Sequence, residues 1–178
     1  HDTDPFNRWE ACQRLTTRLL VNCVQGESRG EAGEIQEDFI LLFKDLLCSA
    51  DREDAAFLSL LLTLPSEKYI GEQMDVIDVD GIHRARQHLR TTLASNLQAD
   101  FLTLYNKNII EEPYRYDSVL AGRRELKNTC LAYLMLLDDS AVKDLCLGQF
   151  HQSDNMTDVQ AAFRAIVHNP DCRERREV

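Results

Sequence analysis

Apolar residues recur along this chain at intervals of three and four, the period of an α-helix, and no segment sustains the alternation of a half-buried strand. Asp4 is a good N-cap and Pro5 suits the first helical position, so a helix is predicted to start there, with Phe6, Trp9, Cys12, Leu19, Leu20, Cys23 and Val24 along one face. Thr16 interrupts that face, Leu15 lies at its edge, and Gly26 and Gly30 are expected to close the helix. A second helix is predicted over 34–50, striped by Ile35, Phe39, Leu42, Phe43, Leu46 and Leu47. Asp51 can cap a third, centred on 55–62 and apolar nearly all round, with Pro65 ending it. Ser66 can cap a short helix that carries Tyr69 and Ile70 and stops near Gly71.

A long element then runs from Asp80 or Gly81 to about Asn106, marked by Ile82, Leu89, Leu93, Leu97, Phe101, Leu104 and Tyr105. After an irregular break through Asn108 and Pro113, Asp117 caps a helix with Val119, Leu120, Leu126, Cys130, Leu131, Leu134 and Leu137 as its spine. A shorter helix covers 140–150, and Thr157 with Gln160 reads as a capping box before Phe163, Ile166 and Val167. About eight antiparallel helices joined mostly by short loops predict an all-α fold, a solenoid-like, HEAT- or armadillo-like superhelical array forming one unit over 1–178. No repeat of fixed period is visible in the residues themselves.

Composition narrows the function. With 30 acidic against 20 basic residues the net charge is −10, which makes nucleic acid and anionic membrane poor partners. Arg84, Arg86, His88 and Arg90, the pair Arg123 and Arg124, and the tail arginines 173, 175 and 176 sit among carboxylates and read as solvated helix faces. Six cysteines, none in a C-x-x-C arrangement, fall mostly in apolar helical stretches. They are expected as buried, reduced thiols, which points to a reducing compartment and a cytoplasmic location. The longest apolar run, 55–64, is too short to span a bilayer. The chain opens without Met in the middle of a polar phrase and closes on the start of another helix, as a piece of a longer protein would.

Reactive chemistry is hard to find. A helical zinc site needs two histidines four apart; His83 and His88 are five apart and diverge by roughly 140° around a helix. His1, His151 and His168 are isolated. Gly26, Gly30 and Gly33 lack the strand and the Gly-Lys-Ser/Thr of a phosphate loop, and no G-x-S-x-G occurs. The acidic pairs Asp75 and Asp78, Glu111 and Glu112, and Asp138 and Asp139 lie in loops or at helix starts, where they suit the dipole. Asn155-Met156-Thr157 matches a glycosylation sequon but coincides with a helix cap. No catalytic, cofactor-binding or metal-binding residue is assigned.

Several phrases nevertheless form a pattern. They are 1–11 (HDTDPFNRWEA), 64–67 (LPSE), 104–108 (LYNKN), 123–134 (RRELKNTCLAYL) and 149–158 (QFHQSDNMTD). In order and spacing they resemble the start of the C-terminal helical domain of the aminopeptidase N family of zinc metallopeptidases. Cys12 stands where a small residue such as Gly or Ala is expected, a departure that touches packing alone.

The resemblance implies a longer enzyme with an N-terminal β domain, a thermolysin-like catalytic domain carrying H-E-x-x-H and zinc, a β-sandwich and the helical domain. This chain would be the first part of that last domain, with no cofactor of its own and inactive alone. Its partners would be the catalytic and β-sandwich domains of the same chain and, through the enclosed chamber, short peptides trimmed from their N-termini. Cut from its neighbours, it is expected to self-associate through exposed apolar faces. The alternative is a free-standing α-solenoid that acts as a protein-interaction scaffold.

Overall fold

The computed structural model describes residues 4–28, 35–169, 172 and 175. Among them are nine helices and no strand: α1 (Pro5–Ser28), α2 (Glu37–Cys48), α3 (Ala55–Leu62), α4 (Glu67–Gly71), α5 (Val79–Asn96), α6 (Gln98–Lys107), α7 (Ser118–Leu134), α8 (Ser140–Gln152) and α9 (Met156–His168). The all-helical expectation holds, and the ninth helix comes from a break in the long element. At Leu97 the backbone turns to φ −120° and ψ 21°, separating α5 from α6. No Gly or Pro marks the place, and the apolar series Leu93, Leu97, Phe101 continues through it. Around the break the Ser95, Asn96 and Thr103 side chains donate to carbonyls four residues back, a pattern that bends helices.

Side-chain caps set most of the helix starts. Asp4 Oδ1 accepts from Asn7 N at 3.0 Å, Ser66 Oγ accepts from Tyr69 N at 3.2 Å, and Asp117 Oδ1 accepts from Val119 N and Leu120 N, each at 3.0 Å. Two other caps differ from expectation, and at α9 one of the two cap readings fails. Asp54, rather than Asp51, caps α3 through Phe57 N, because Asp51 turns instead to pair with Lys107. Asp78 caps α5 through Gly81 N, so that helix begins at Val79. For α9 the cap is Asn155, whose Oδ1 accepts from Asp158 N at 3.0 Å, and not a Thr157–Gln160 box. Gly26 lies inside α1, which runs on to Ser28; Gly30, Gly33 and the start at Glu34 lie outside the described residues, as do 1–3 of the opening phrase and most of the charged tail.

The pairing of side chains along the helices gives their directions. Arg8 meets Glu53, Cys12 Sγ meets the Leu61 carbonyl and Gln13 meets the Thr63 carbonyl, so α1 and α3 run parallel. Gly122 lies on Ala56, Ser59 Oγ is 2.8 Å from Thr129 Oγ1, and Tyr133 OH donates to Leu62 O at 2.7 Å, so α7 runs parallel to α3. Lys127 meets Asp158, and Asn169 Nδ2 donates to Met135 O, which places α9 parallel to α7. Four parallel helices, α1, α3, α7 and α9, therefore make one layer. Behind it α6 runs antiparallel to α7, since Arg123 reaches the Lys107 carbonyl, and α8 runs antiparallel to α9, since Cys146 and Gln149 meet Ala162 and Asp158.

Between the layers lies one continuous apolar core, with Phe43, Leu58, Leu62, Ile70, Leu89, Leu93, Phe101, Leu131, Leu134 and Ile166 essentially shut from solvent. Helix α5 crosses the C-terminal ends of the parallel layer. Arg84 reaches Glu27, Arg86 the Pro65 carbonyl and Arg90 the Ala132 carbonyl. Some stripe residues are not covered: Phe6 is 66% exposed and Val119 65%, both in the first turns of their helices. Thr16 and Thr17 lie on the buried side of α1 instead, made tolerable there by donating to the Cys12 and Gln13 carbonyls. No helix among the described residues is long and apolar enough to cross a membrane.

Candidate functional site

Among the described residues nothing covers the outer side of the parallel layer. Helices α3, α7 and α9 floor a groove of about 1300 Å³, and α5 walls one end of it. Leu60, Ala132 and Ala161 give an apolar floor; Arg86 and Arg90 enter from α5, and Arg164 and His168 from α9. Glu125 is the one carboxylate of the lining. In a chain of net charge −10 this face is thus cationic. The guanidiniums of Arg86, Arg90 and Arg164 make no ion pair among the described residues; Arg86 and Arg90 donate to backbone carbonyls instead. Burial lowers the Arg90 pKa from the ordinary arginine value, opposed in part by Tyr133. The reading of the basic clusters as solvated faces holds for the exposed Arg84 and His88 and is corrected for the second pair: Arg124 is buried with its guanidinium over the Tyr114 ring, and half-buried Arg123 donates to the Lys107 and Ile109 carbonyls.

Behind the floor sits a buried polar node. Lys127 Nζ donates to Asp158 Oδ2 at 2.7 Å, and both side chains are under 10% exposed. Asn128 Nδ2 donates to Asp158 Oδ1 at 2.9 Å and Asn155 Nδ2 to Asp158 Oδ2 at 3.1 Å. Gln149 Nε2 donates both to Asn128 Oδ1 and to Asp158 O, while its own Oε1 accepts from Tyr105 OH at 2.8 Å. Burial, and after it the nearby Asp158 charge, raises the Tyr105 pKa, which keeps the phenol protonated as a donor. Lys127 Nζ also lies 6.0 Å from the Tyr105 ring centre. Every buried side-chain nitrogen and oxygen among the described residues has a partner.

The node joins three of the phrases noted in the sequence: Tyr105 belongs to 104–108, Lys127 and Asn128 to 123–134, Gln149, Asn155 and Asp158 to 149–158. Helical register carried a hint of it. Lys127 falls in step with Leu120, Leu131 and Leu134, and Asp158 in step with Ala162 and Ile166, so a charge stands on each apolar stripe. Nothing in one stripe says that the other's charge is its partner.

The remaining candidate residues do not converge. His83 Nδ1 is 2.9 Å from Glu67 Oε1, His88 is exposed, His151 stacks edge-on against Phe150, and His1 lies outside the described residues. No three His, Cys, Asp or Glu side chains are grouped to hold a metal among the described residues. Cys23, Cys130, Cys146 and Cys172 are buried, Cys12 is half-buried, and Cys48 is exposed, contrary to its reading as a packed thiol. Burial pushes the Cys130 and Cys146 thiols up to about 12, the opposite of an activated nucleophile. A thiol-selective reagent is therefore expected to label Cys48 in the native state and to reach Cys130 and Cys146 only on unfolding. Labelling of either buried thiol at the rate seen for Cys48 would contradict this.

Parallel helices stacked against an antiparallel layer, with one open face, define a helical-repeat module of the armadillo type. The chain belongs to the family described as a domain of unknown function with ARM repeats, DUF3458_C, whose pattern matches residues 1–178. It is 32% identical over 167 residues to aminopeptidase N of Escherichia coli (strain K12), covering 94% of this chain and 19% of that protein. It is 36% identical over 169 residues to aminopeptidase N of Caulobacter vibrioides, covering 93% and 19%. Among solved structures it is similar to a Legionella pneumophila aminopeptidase A in complex with aspartic acid, with a TM-score of 0.76, 29% identity, and coverage of 91% of this chain and 19% of that one. The homology is to the C-terminal region of aminopeptidase N, and the chain spans about a fifth of those relatives' length.

Proposed function

We propose that this chain is the first part of the C-terminal helical domain of a zinc-dependent aminopeptidase, cytoplasmic, which trims N-terminal residues from short peptides. The chain walls the chamber around the active site and supplies no group to the chemistry. The observation that carries this reading is identity of 32–36% to aminopeptidases N over 93–94% of the chain, at a fifth of their length. The node supports it, because residues of three resembling phrases meet there in one scaffold.

The donor set of this chain does not fit a catalytic zinc. Such a site needs three converging protein ligands, and among the described residues the histidines are dispersed, His83 being already paired with Glu67. Zinc would belong to the remainder of the longer chain. What a helical wall contributes is exclusion: it limits which peptides arrive and keeps bulk water from the reacting groups. Its partners are the catalytic and β-sandwich parts of the same polypeptide, and without them the isolated chain self-associates.

The test compares the purified 178-residue chain with the longer protein encoded around it. The longer protein is expected to hydrolyse aminoacyl-anilides and lose that activity to a chelator; the chain alone is expected to do neither and to sediment as more than a monomer. Hydrolysis by the chain itself, or no H-E-x-x-H in the surrounding reading frame, sinks the proposal.

A further inference from the structure

The cationic groove has a property that walling a chamber does not require. Among the described residues seven Lys or Arg side chains pair with carboxylates, Lys127–Asp158 and Arg8–Glu53 among them. Arg86, Arg90 and Arg164 do not, although all three line the same face. Arg86 and Arg90 are half-buried, so each has lost part of its hydration without gaining a counter-charge. An anion entering the groove would restore that missing interaction at sites already desolvated. Backbone carbonyls of Pro65 and Ala132 fix the α5 guanidiniums in place, so little side-chain entropy remains to be lost on binding.

The shape selects among anions. The floor crosses three helices, about 20 Å at the usual interhelical spacing, which matches about six residues of extended polypeptide. Leu60, 53% exposed, and Met156, 65% exposed, offer apolar contact between the charges. A lone phosphate would leave most of that length empty, and a nucleic acid would meet the strongly acidic remainder of the surface.

We propose that this groove binds an extended acidic peptide, whose side-chain carboxylates are held by Arg86 and Arg90 at the α5 end and by Arg164 on α9. The proposal rests on the reading of this face as a wall that peptides reach, and it names what they carry: anionic residues downstream of the end being trimmed. Acidic peptides would then be retained by the wall, and basic ones repelled.

The probe is a dye-labelled hexaglutamate with an amidated C-terminus, titrated into the 178-residue chain and followed by fluorescence anisotropy. Hexaglutamine and hexalysine of the same format are the controls. Saturable binding of hexaglutamate alone is expected, weakening as salt rises. Arg164 is exposed and makes no hydrogen bond or ion pair with the described residues, so R164E leaves the fold intact and is expected to weaken binding about tenfold. R18E, on the exposed side of α1 and outside the groove lining, is expected to change little. Absence of saturable hexaglutamate binding, equal binding of hexalysine, or equal affinity in R164E and the parent sequence overturns the proposal. Because the readout is binding by a chain that hydrolyses nothing, its failure leaves the aminopeptidase reading standing, and the hydrolysis test can fail while this binding persists.

Discussion

Asp158→Ala is expected to destabilise the chain by about 3–5 kcal/mol, the cost of leaving a buried cation without its partner. Lys127 Nζ would keep only its approach to the Tyr105 ring, inside a region where water does not reach it. Asn128 and Asn155 would each lose an acceptor as well. The double variant Lys127→Met with Asp158→Leu removes both charges and is expected to recover a large part of the loss, because an apolar pair of similar volume avoids desolvating ions. Urea unfolding midpoints of the three proteins decide the matter. A loss under about 1 kcal/mol for Asp158→Ala would mean that the pair is solvated and the node is not a buried latch. A double variant as unstable as the single would shift the weight to the asparagine and glutamine bonds.

The same node shows where sequence reading stops. Asp4, Ser66 and Asp117 were legible as caps because a cap is a local event: one side chain meets an amide two or three residues on. Asn155 was legible as a cap too, though the capping box proposed beside it was not what formed. Asp51 and Asp54 show the limit of even this local logic. Both are aspartates ahead of the same helix, and the choice between them depends on Lys107, more than fifty residues away. The break at Leu97 was hidden because the apolar period runs through it unbroken. The cationic groove was hidden for a further reason: Arg86 and Arg90 lie on α5 while Arg164 lies on α9, and only the stacking of α5 across the layer brings them to one face. The all-helical fold was legible without any of these contacts, since the apolar period of three and four is local to each helix.

Stability and function draw on opposite sides of the floor. Facing inward, Lys127 and Asp158 are neutralised by each other and tie α7 to α9. Facing outward, the same two helices carry Glu125 and Arg164 with no ion pair of their own among the described residues. A buried charge pair is a poor source of net stability but a strong specifier of register, since any other alignment of α9 on α7 leaves both ions unpaired. Register is what the groove needs, because the distance from Arg90 to Arg164 depends on it.

Register on the other flank is set by a glycine. A Cβ built at Gly122 would stand 2.9 Å from the Ala56 nitrogen, 3.1 Å from its Cβ and 3.4 Å from its Cα. The obstacle is largely the backbone of α3, which cannot swing aside as a side-chain tip can. Gly122→Leu is therefore expected to cost about 3 kcal/mol as α7 is forced off α3, despite leucine's better helix propensity. The forced gap would also strain the Ser59–Thr129 and Tyr133–Leu62 bonds further along the same seam. Gly148 in α8 is the matched control, since nothing lies within 4 Å of its added Cβ. There Gly→Ala is expected to stabilise by about 1 kcal/mol through propensity alone. Thermal melts of both variants separate the two effects: if Gly122→Leu melts at or above the parent chain, α3 and α7 do not meet backbone to backbone, and the parallel layer that floors the groove is wrongly drawn.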